Sequence, residues 1–270
     1  MKKIGSLVLS VFVLGLVGTP AVGAASAEGL KKENPQKKMV FPDASKDPTK
    51  PAVGGVRWFW PTHARNYARR QQGNIDLIFL GDSITQGWPG DLFNKYYGSL
   101  KGVNFGCGGD QIQHLLMRLE GDDGELRGTT PKVVVLMIGV NNMGDNTAEE
   151  IAYGIDNMVK RIKSECPKTR VLLLGILPLR SGTTKKIQAV NRIIAKLDDG
   201  KKVRFLDMGA KFVGKDGKGL PGVFSDGVHL TTKGYGTWHR TMNPLLMKMM
   251  KQPALTEKDP KPTTKKARKG

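Results

Sequence analysis

Five apolar, β-branched runs punctuate the middle of this chain, at Ile75 to Leu80, Val103 to Phe105, Val133 to Ile138, Val171 to Leu177 and Val203 to Leu206. Each is bounded by glycine, proline or charge, which is the pattern of a strand. Between and after them, apolar residues recur at helical spacing over Asp91 to Tyr97, Gln111 to Leu119, Ala148 to Ser164, Lys185 to Leu197 and Thr232 to Met250. Thr147 with Glu150 three residues on predicts a capping box at the start of the third of these. Strands that are apolar throughout, rather than alternately, are buried on both faces. Their alternation with helices therefore predicts an α/β fold whose parallel sheet is covered on both sides.

That architecture directs attention to the residues just after each strand, because open parallel sheets bind ligands outside their strands' carboxyl ends. The first run ends in Gly81, Asp82 and Ser83, the second in Gly106, Cys107, Gly108, Gly109 and Asp110, and the third in Gly139, Val140, Asn141 and Asn142. A serine at a strand-to-helix turn presents its hydroxyl where a helix N-terminus favours negative charge, which suits a nucleophile. The same residue type also caps helices. Gly108 and Gly109 let the backbone approach a ligand and donate an N–H, or simply turn the chain.

A serine nucleophile needs a base, and there are four histidines. His63 lies beside Arg and Gln residues that suggest an exposed helix, and His114 and His239 fall inside helical patterns. His229 stands in a loop before the last helix, in Ser225–Asp226–Gly227–Val228–His229, with Asp226 three residues upstream. One turn brings that carboxylate onto Nδ1–H and leaves Nε2 to accept a proton.

The four blocks FLGDSITQGW (Phe79 to Trp88), NFGCGGD (Asn104 to Asp110), MIGVNN (Met137 to Asn142) and SDGVHL (Ser225 to Leu230) together resemble the SGNH, or GDSL, hydrolases. The likeness runs from about Arg57 to Met250. NFGCGGDQIQHLLMRL and NNMGDNTAEEI are similar to the branch that contains the catalytic subunits of intracellular platelet-activating-factor acetylhydrolase. The resemblance implies a three-layer, flavodoxin-like α/β fold with a five-stranded parallel sheet, and neither metal nor organic cofactor. It implies Ser83 as nucleophile, His229 as base and Asp226 as its orienting partner, with the N–H groups of Ser83 and Gly109 and the amide of Asn141 as oxyanion donors. Ile84, Val140 and Val228 would shape a tight acyl pocket, and Trp88 is a candidate wall for stacking a sugar.

The termini read differently. Residues 1–27 carry Lys2, Lys3, an apolar run from Ile4 to Val17 and small residues through Ala27, which predicts a cleaved secretory signal. A run of about 14 apolar residues is short for a bilayer that needs about 20. Residues 28–53 read as a flexible linker, 54–250 as the hydrolase domain and 251–270 as a basic disordered tail. The formal charge of +19 would suit nucleic acid or another polyanion, but 8 basic residues against 4 acidic fall in 1–53 and 7 against 2 in 251–270. Export and the four blocks set nucleic acid aside and leave the tail as a solvated segment or a weak contact with an anionic surface.

The expectation is an exported ester hydrolase acting on acetyl or other short acyl groups of carbohydrates or small esters. The enzymatic alternative is a lysophospholipase or platelet-activating-factor-like acetylhydrolase; from another class, it is a noncatalytic cell-surface protein that binds anions. Cys107 and Cys166 are too few for a disulfide scaffold or a four-cysteine zinc site, and their pairing is open.

Overall fold

A computed structural model describes residues 46–251. Five strands, β1 (Leu77–Gly81), β2 (Gly102–Gly106), β3 (Val133–Met137), β4 (Arg170–Leu174) and β5 (Val203–Leu206), form one sheet in the order β2-β1-β3-β4-β5. Every pairing is parallel, with Leu77 opposite Gly102 on one side and Val133 on the other. Around the sheet lie α1 (Phe59–Gln71), α2 (Ser83–Gln86), α3 (Gly90–Tyr97), α4 (Ile112–Arg118), α5 (Ala148–Glu165), α6 (Lys185–Ile194) and α7 (Thr232–Met250).

The central strands β1 and β3 are buried at every position. Their side chains alternate between two cores. Ile78, Leu80, Val134 and Leu136 pack with Leu115, Ile151, Ile155, Ile187 and Val190 from α4, α5 and α6. Phe79 and Val135 pack with Phe93 and Tyr97 of α3 and with Trp238, Met242 and Leu246 of α7. Each such buried side chain contributes roughly 1.5–3 kcal/mol, so both faces of the sheet must be covered for it to persist. The three-layer arrangement follows. The predicted capping box is present, with the Glu150 N–H donating to Thr147 Oγ1 at 3.2 Å and the Thr147 N–H to Glu150 Oε2 at 2.9 Å.

Several boundaries differ from the sequence pattern. The fourth strand stops at Leu174 rather than Leu177, because the Ile176 N–H turns away to donate to the side chain of Asn191. The helix predicted through Leu197 leaves α geometry at Ile194 and finishes as a 3₁₀ turn over Ala195–Leu197. The segment read as a linker to residue 53 is not free at its end. Lys46 accepts from Asn146 Nδ2 through its carbonyl, Pro48 is buried, and the Ala52 N–H donates to the Gln113 carbonyl at 3.0 Å. The signal, residues 28–45 and residues 252–270 lie outside the described residues.

The strand order reverses beside β1, since β2 lies on one side of it and β3 on the other. A crevice at such a reversal is where parallel sheets bind ligands. The turns after β1, β2 and β3 all open there.

Candidate active site

Gly81 ends β1 where no larger residue fits: a Cβ there would lie 2.3 Å from the Met137 carbonyl oxygen and 2.2 Å from Thr85 Oγ1. Asp82 follows as the N-cap of α2, its Oδ1 accepting from the Ile84 N–H at 2.9 Å. Ser83 is therefore the first helical residue, and its free N–H and hydroxyl sit at the positive end of the turn. Asp82 is 1% exposed, and burial pushes its carboxyl up to about 7.

The loop after β2 supplies the next wall. Gly108 is fully engaged, its N–H donating to Gln86 Oε1 at 2.9 Å and its carbonyl accepting from Trp58 Nε1 at 2.7 Å. The donor left for a ligand is Gly109, whose φ of +80° is a conformation that favours glycine. After β3, residues Val140–Asn142 form a 3₁₀ turn. There Asn141 donates from Nδ2 to the Asp110 carbonyl at 2.8 Å. A carboxamide has two N–H groups, so one remains.

The fourth block forms a tight loop closed by the Ser225 N–H donating to the His229 carbonyl at 2.9 Å. Asp226 Oδ1 accepts from the N–H groups of Val228 and His229, both at 2.7 Å, and Oδ2 lies 2.7 Å from His229 Nδ1. The Val228 N–H first, then the backbone and ring of His229, hold the Asp226 carboxyl well below the usual carboxylate range. An ionised carboxylate only accepts, so the proton of the imidazole is on Nδ1. Nε2 then accepts from Ser83 Oγ, 2.8 Å away. Hydroxyl, imidazole and carboxylate thus stand in series, arranged for proton removal from the serine.

The remaining predicted residues fall into two groups. Ile84 is buried in the α3/α7 core beside the serine, while Val140 and Val228 are partly buried against the same core. Trp88 is no sugar wall. It is 4% exposed and packed among Phe93, Tyr97, Tyr235 and Trp238, with ring centroids 6.1, 5.6, 4.7 and 5.5 Å away. The exposed indole near the site is that of Trp58, at 44%. A flanking position in a short glycine-containing segment was its one sequence signal.

Tyr235 was also unforeseen; its hydroxyl donates to the Ile84 carbonyl at 2.8 Å and ties α7 to the serine turn. Nor is His63 a surface residue: it is 6% exposed, with Nδ1 3.0 Å from Glu125 Oε1. His114 Nδ1 accepts from the Gln111 N–H at the start of α4, and His239 stacks on Tyr96. Both cysteines are buried free thiols, and burial pushes Cys107 up to about 12. Among the described residues, no group of three or more His, Cys, Asp or Glu side chains is placed to hold a metal ion, and no helix is long and apolar enough to cross a membrane.

A parallel sheet with a serine–imidazole–carboxylate series at its carboxyl edge defines a hydrolase of the serine class. Residues 79–236 match the model of the GDSL-like lipase/acylhydrolase family, and the chain belongs to that family of ester hydrolases. It is 33% identical over 216 residues to platelet-activating factor acetylhydrolase IB subunit alpha1 of Bos taurus, covering 78% of this chain and 91% of the relative. Its fold is similar to that of a GDSL-like lipase from Bacteroides thetaiotaomicron (TM-score 0.56, 22% identity, 70% of this chain and 97% of that one). It is also similar to a carbohydrate esterase family 3 structure from Talaromyces cellulolyticus (TM-score 0.51, 20% identity, 66% and 98%).

Proposed function

We propose that this chain is an exported esterase that removes short acyl groups, acetyl above all, from acylated carbohydrates or small esters. The observation that carries the reading is the unbroken series from Ser83 Oγ through His229 to Asp226, with contacts of 2.8 and 2.7 Å. Ser83 attacks the ester carbonyl as its proton passes to His229 Nε2, and Asp226 stabilises the imidazolium. The N–H groups of Ser83 and Gly109 and the free N–H of Asn141 hold the tetrahedral oxyanion. His229 then protonates the departing alkoxide, and as base activates the water that releases the acyl group.

Two features support the choice of substrate. Ile84, Val140 and Val228 flank the reacting residues with branched apolar side chains, which suits a short acyl chain better than a long one, and the mammalian relative is named as an acetylhydrolase. Trp58 offers a half-open aromatic face attached to the oxyanion loop, suited to the apolar face of a sugar. The relative's name also favours a second reading, a lipid acetylhydrolase. A chain-length series of nitrophenyl esters separates them from a long-chain enzyme: rates should fall steeply beyond about four carbons, and a preference for eight or more would reject the tight pocket. Acetylated xylan against platelet-activating factor as competing substrates then divides the two acetyl readings. A fluorophosphonate should label the parent and not Ser83→Ala, and that variant should lose roughly 10⁶-fold in kcat.

A further inference from the structure

Behind the oxyanion loop lies a buried line of charge that the mechanism above does not use. Asp110 follows Gly109 directly, and its carbonyl accepts from Asn141 Nδ2, so two of the three oxyanion donors meet at this one residue. The Asp110 side chain is fully buried, and Arg118 of α4 donates to its Oδ2 from Nε at 2.9 Å, with Nη2 in ionic contact with the same oxygen at 2.8 Å. Arg118 Nη1 donates in turn to Glu125 Oε2, and both of these side chains are fully buried. Glu125 is held from α1, by Asn66 Nδ2 at 3.1 Å on Oε2 and by His63 Nδ1 at 3.0 Å on Oε1. The line reaches solvent at Asp123, 3.4 Å from His63 Nε2. The backbone closes round it, with the Glu125 N–H donating to the Arg118 carbonyl at 2.9 Å and Arg70 bonding the carbonyls of Asp122 and Gly124.

We propose that Arg118, Glu125 and His63 are positioning residues for this esterase, a strut from α1 that fixes Asp110 and through it the aim of Gly109 and Asn141 at the oxyanion. The inference rests on the catalytic reading given above. Its physical ground is that a buried ion set is a poor source of stability, since desolvation offsets the attraction, whereas breaking one partner leaves an uncompensated charge. What such a set does supply is direction. A guanidinium bonded on two sides is fixed in orientation, and it holds the Asp110 carboxylate through Oδ2. Other side chains meet this line: the thiol of Cys107 and the carboxyl of Asp82 face Asp110, His114 faces Arg118, Arg65 donates to Asn66 Oδ1, and Trp60 stands edge-on to His63. None of the strut residues is proposed to touch substrate. Their effect should therefore fall on turnover and leave ground-state binding alone, because donors aimed at the developing oxyanion count mainly in the transition state.

The test uses the full chain with a short nitrophenyl ester, active centres being counted by fluorophosphonate so that kcat refers to reactive protein only. Glu125→Gln, which removes charge and keeps shape, should lower kcat by about tenfold to a hundredfold, the range set by misplacement on the order of 1 Å, with KM within about twofold. At the outer end, His63→Ala should lower kcat, and His63→Asn, whose amide can donate near the Nδ1 position, should recover most of it. The His63 pair keeps the question open to refutation if Glu125→Gln does not fold. Variants that lose thermal stability but keep the parent's kcat per active centre would reduce the line to a structural feature and overturn the inference alone. A parent that never reacts at Ser83 overturns the catalytic reading, and the inference with it.

Discussion

Ser83 and His229 share a 2.8 Å hydrogen bond, but the regions that present them are built in opposite ways. On the serine side the supporting groups are dry: Asp82, Asp110, Arg118 and Glu125 are each 1% exposed or less. On the histidine side the side chains of His229 and Asp226 are 45% and 56% exposed, and what orients them is their own loop's backbone N–H groups. The difference follows from the work proposed for each. Oxyanion donors must be in place before charge develops, and a low-dielectric surround strengthens them. The base has to exchange protons with a leaving alcohol and then with water, which an open loop permits.

The contrast can be broken, and the largest expected effect is on the exposed side. Asp226→Asn keeps the size of the side chain but no longer requires the proton on Nδ1, and kcat should fall about 10⁴-fold despite the solvent around it. A loss of only a few-fold would mean that the imidazole is oriented by the loop alone. Asn141→Ala tests the buried side. It should cost two to three decades in kcat, or roughly 2.7–4 kcal/mol, with the fold intact, and an enzyme as fast as the parent would remove Asn141 from the oxyanion site.

Trp58→Ala is smaller and selective. Losing an aromatic contact of about 0.5–1.5 kcal/mol should reduce kcat/KM by up to about tenfold on an acetylated glycan and leave nitrophenyl acetate unaffected. Equal losses on both substrates would assign the indole to the loop's structure instead. The last effect is on stability and leaves the rate aside. Burial raises Asp82 to about 7, above its unfolded value near 3.9. Between these values the native state holds a proton that the unfolded state has released, so Asp82 makes stability fall as pH rises, with the fall complete above about pH 7. Asp82→Asn keeps the cap and should flatten that part of the stability–pH profile, measured by denaturant midpoints. An unchanged slope would mean that the carboxyl is not desolvated as its burial indicates.

The same contrast decided what could be read from the sequence. The histidine loop announces itself because Asp226 and His229 are three residues apart and one turn joins them. The glycine turns after β1, β2 and β3 are equally local, and strands buried on both faces reveal the sheet. Non-local polar burial left no such mark. Thr62, His63, Asn66 and Arg70 all lie on the inner face of α1, yet polar residues at helical spacing resemble a solvated face, and Glu125, which partners two of them, is 62 residues from His63 and 59 from Asn66. Periodicity reports which residues share a face and is silent on what that face meets. The two tryptophans fail for a related reason: residue type cannot tell the enclosed Trp88 from the open Trp58. Pro48 and Ala52 sit in a composition typical of linkers, and their docking depends on Gly154 and Gln113, far along the chain.

The hydrogen bond between Ser83 and His229 spans 146 residues, and the one from Tyr235 to Ile84 spans 151. The oxyanion side closes over much shorter stretches, with Asn141 reaching Asp110 across 31. Order along the chain therefore separates the two: the serine and the residues of the oxyanion loop precede Asp226 and His229 by more than a hundred positions, so the proposed series is incomplete until the chain has been extended to residue 229.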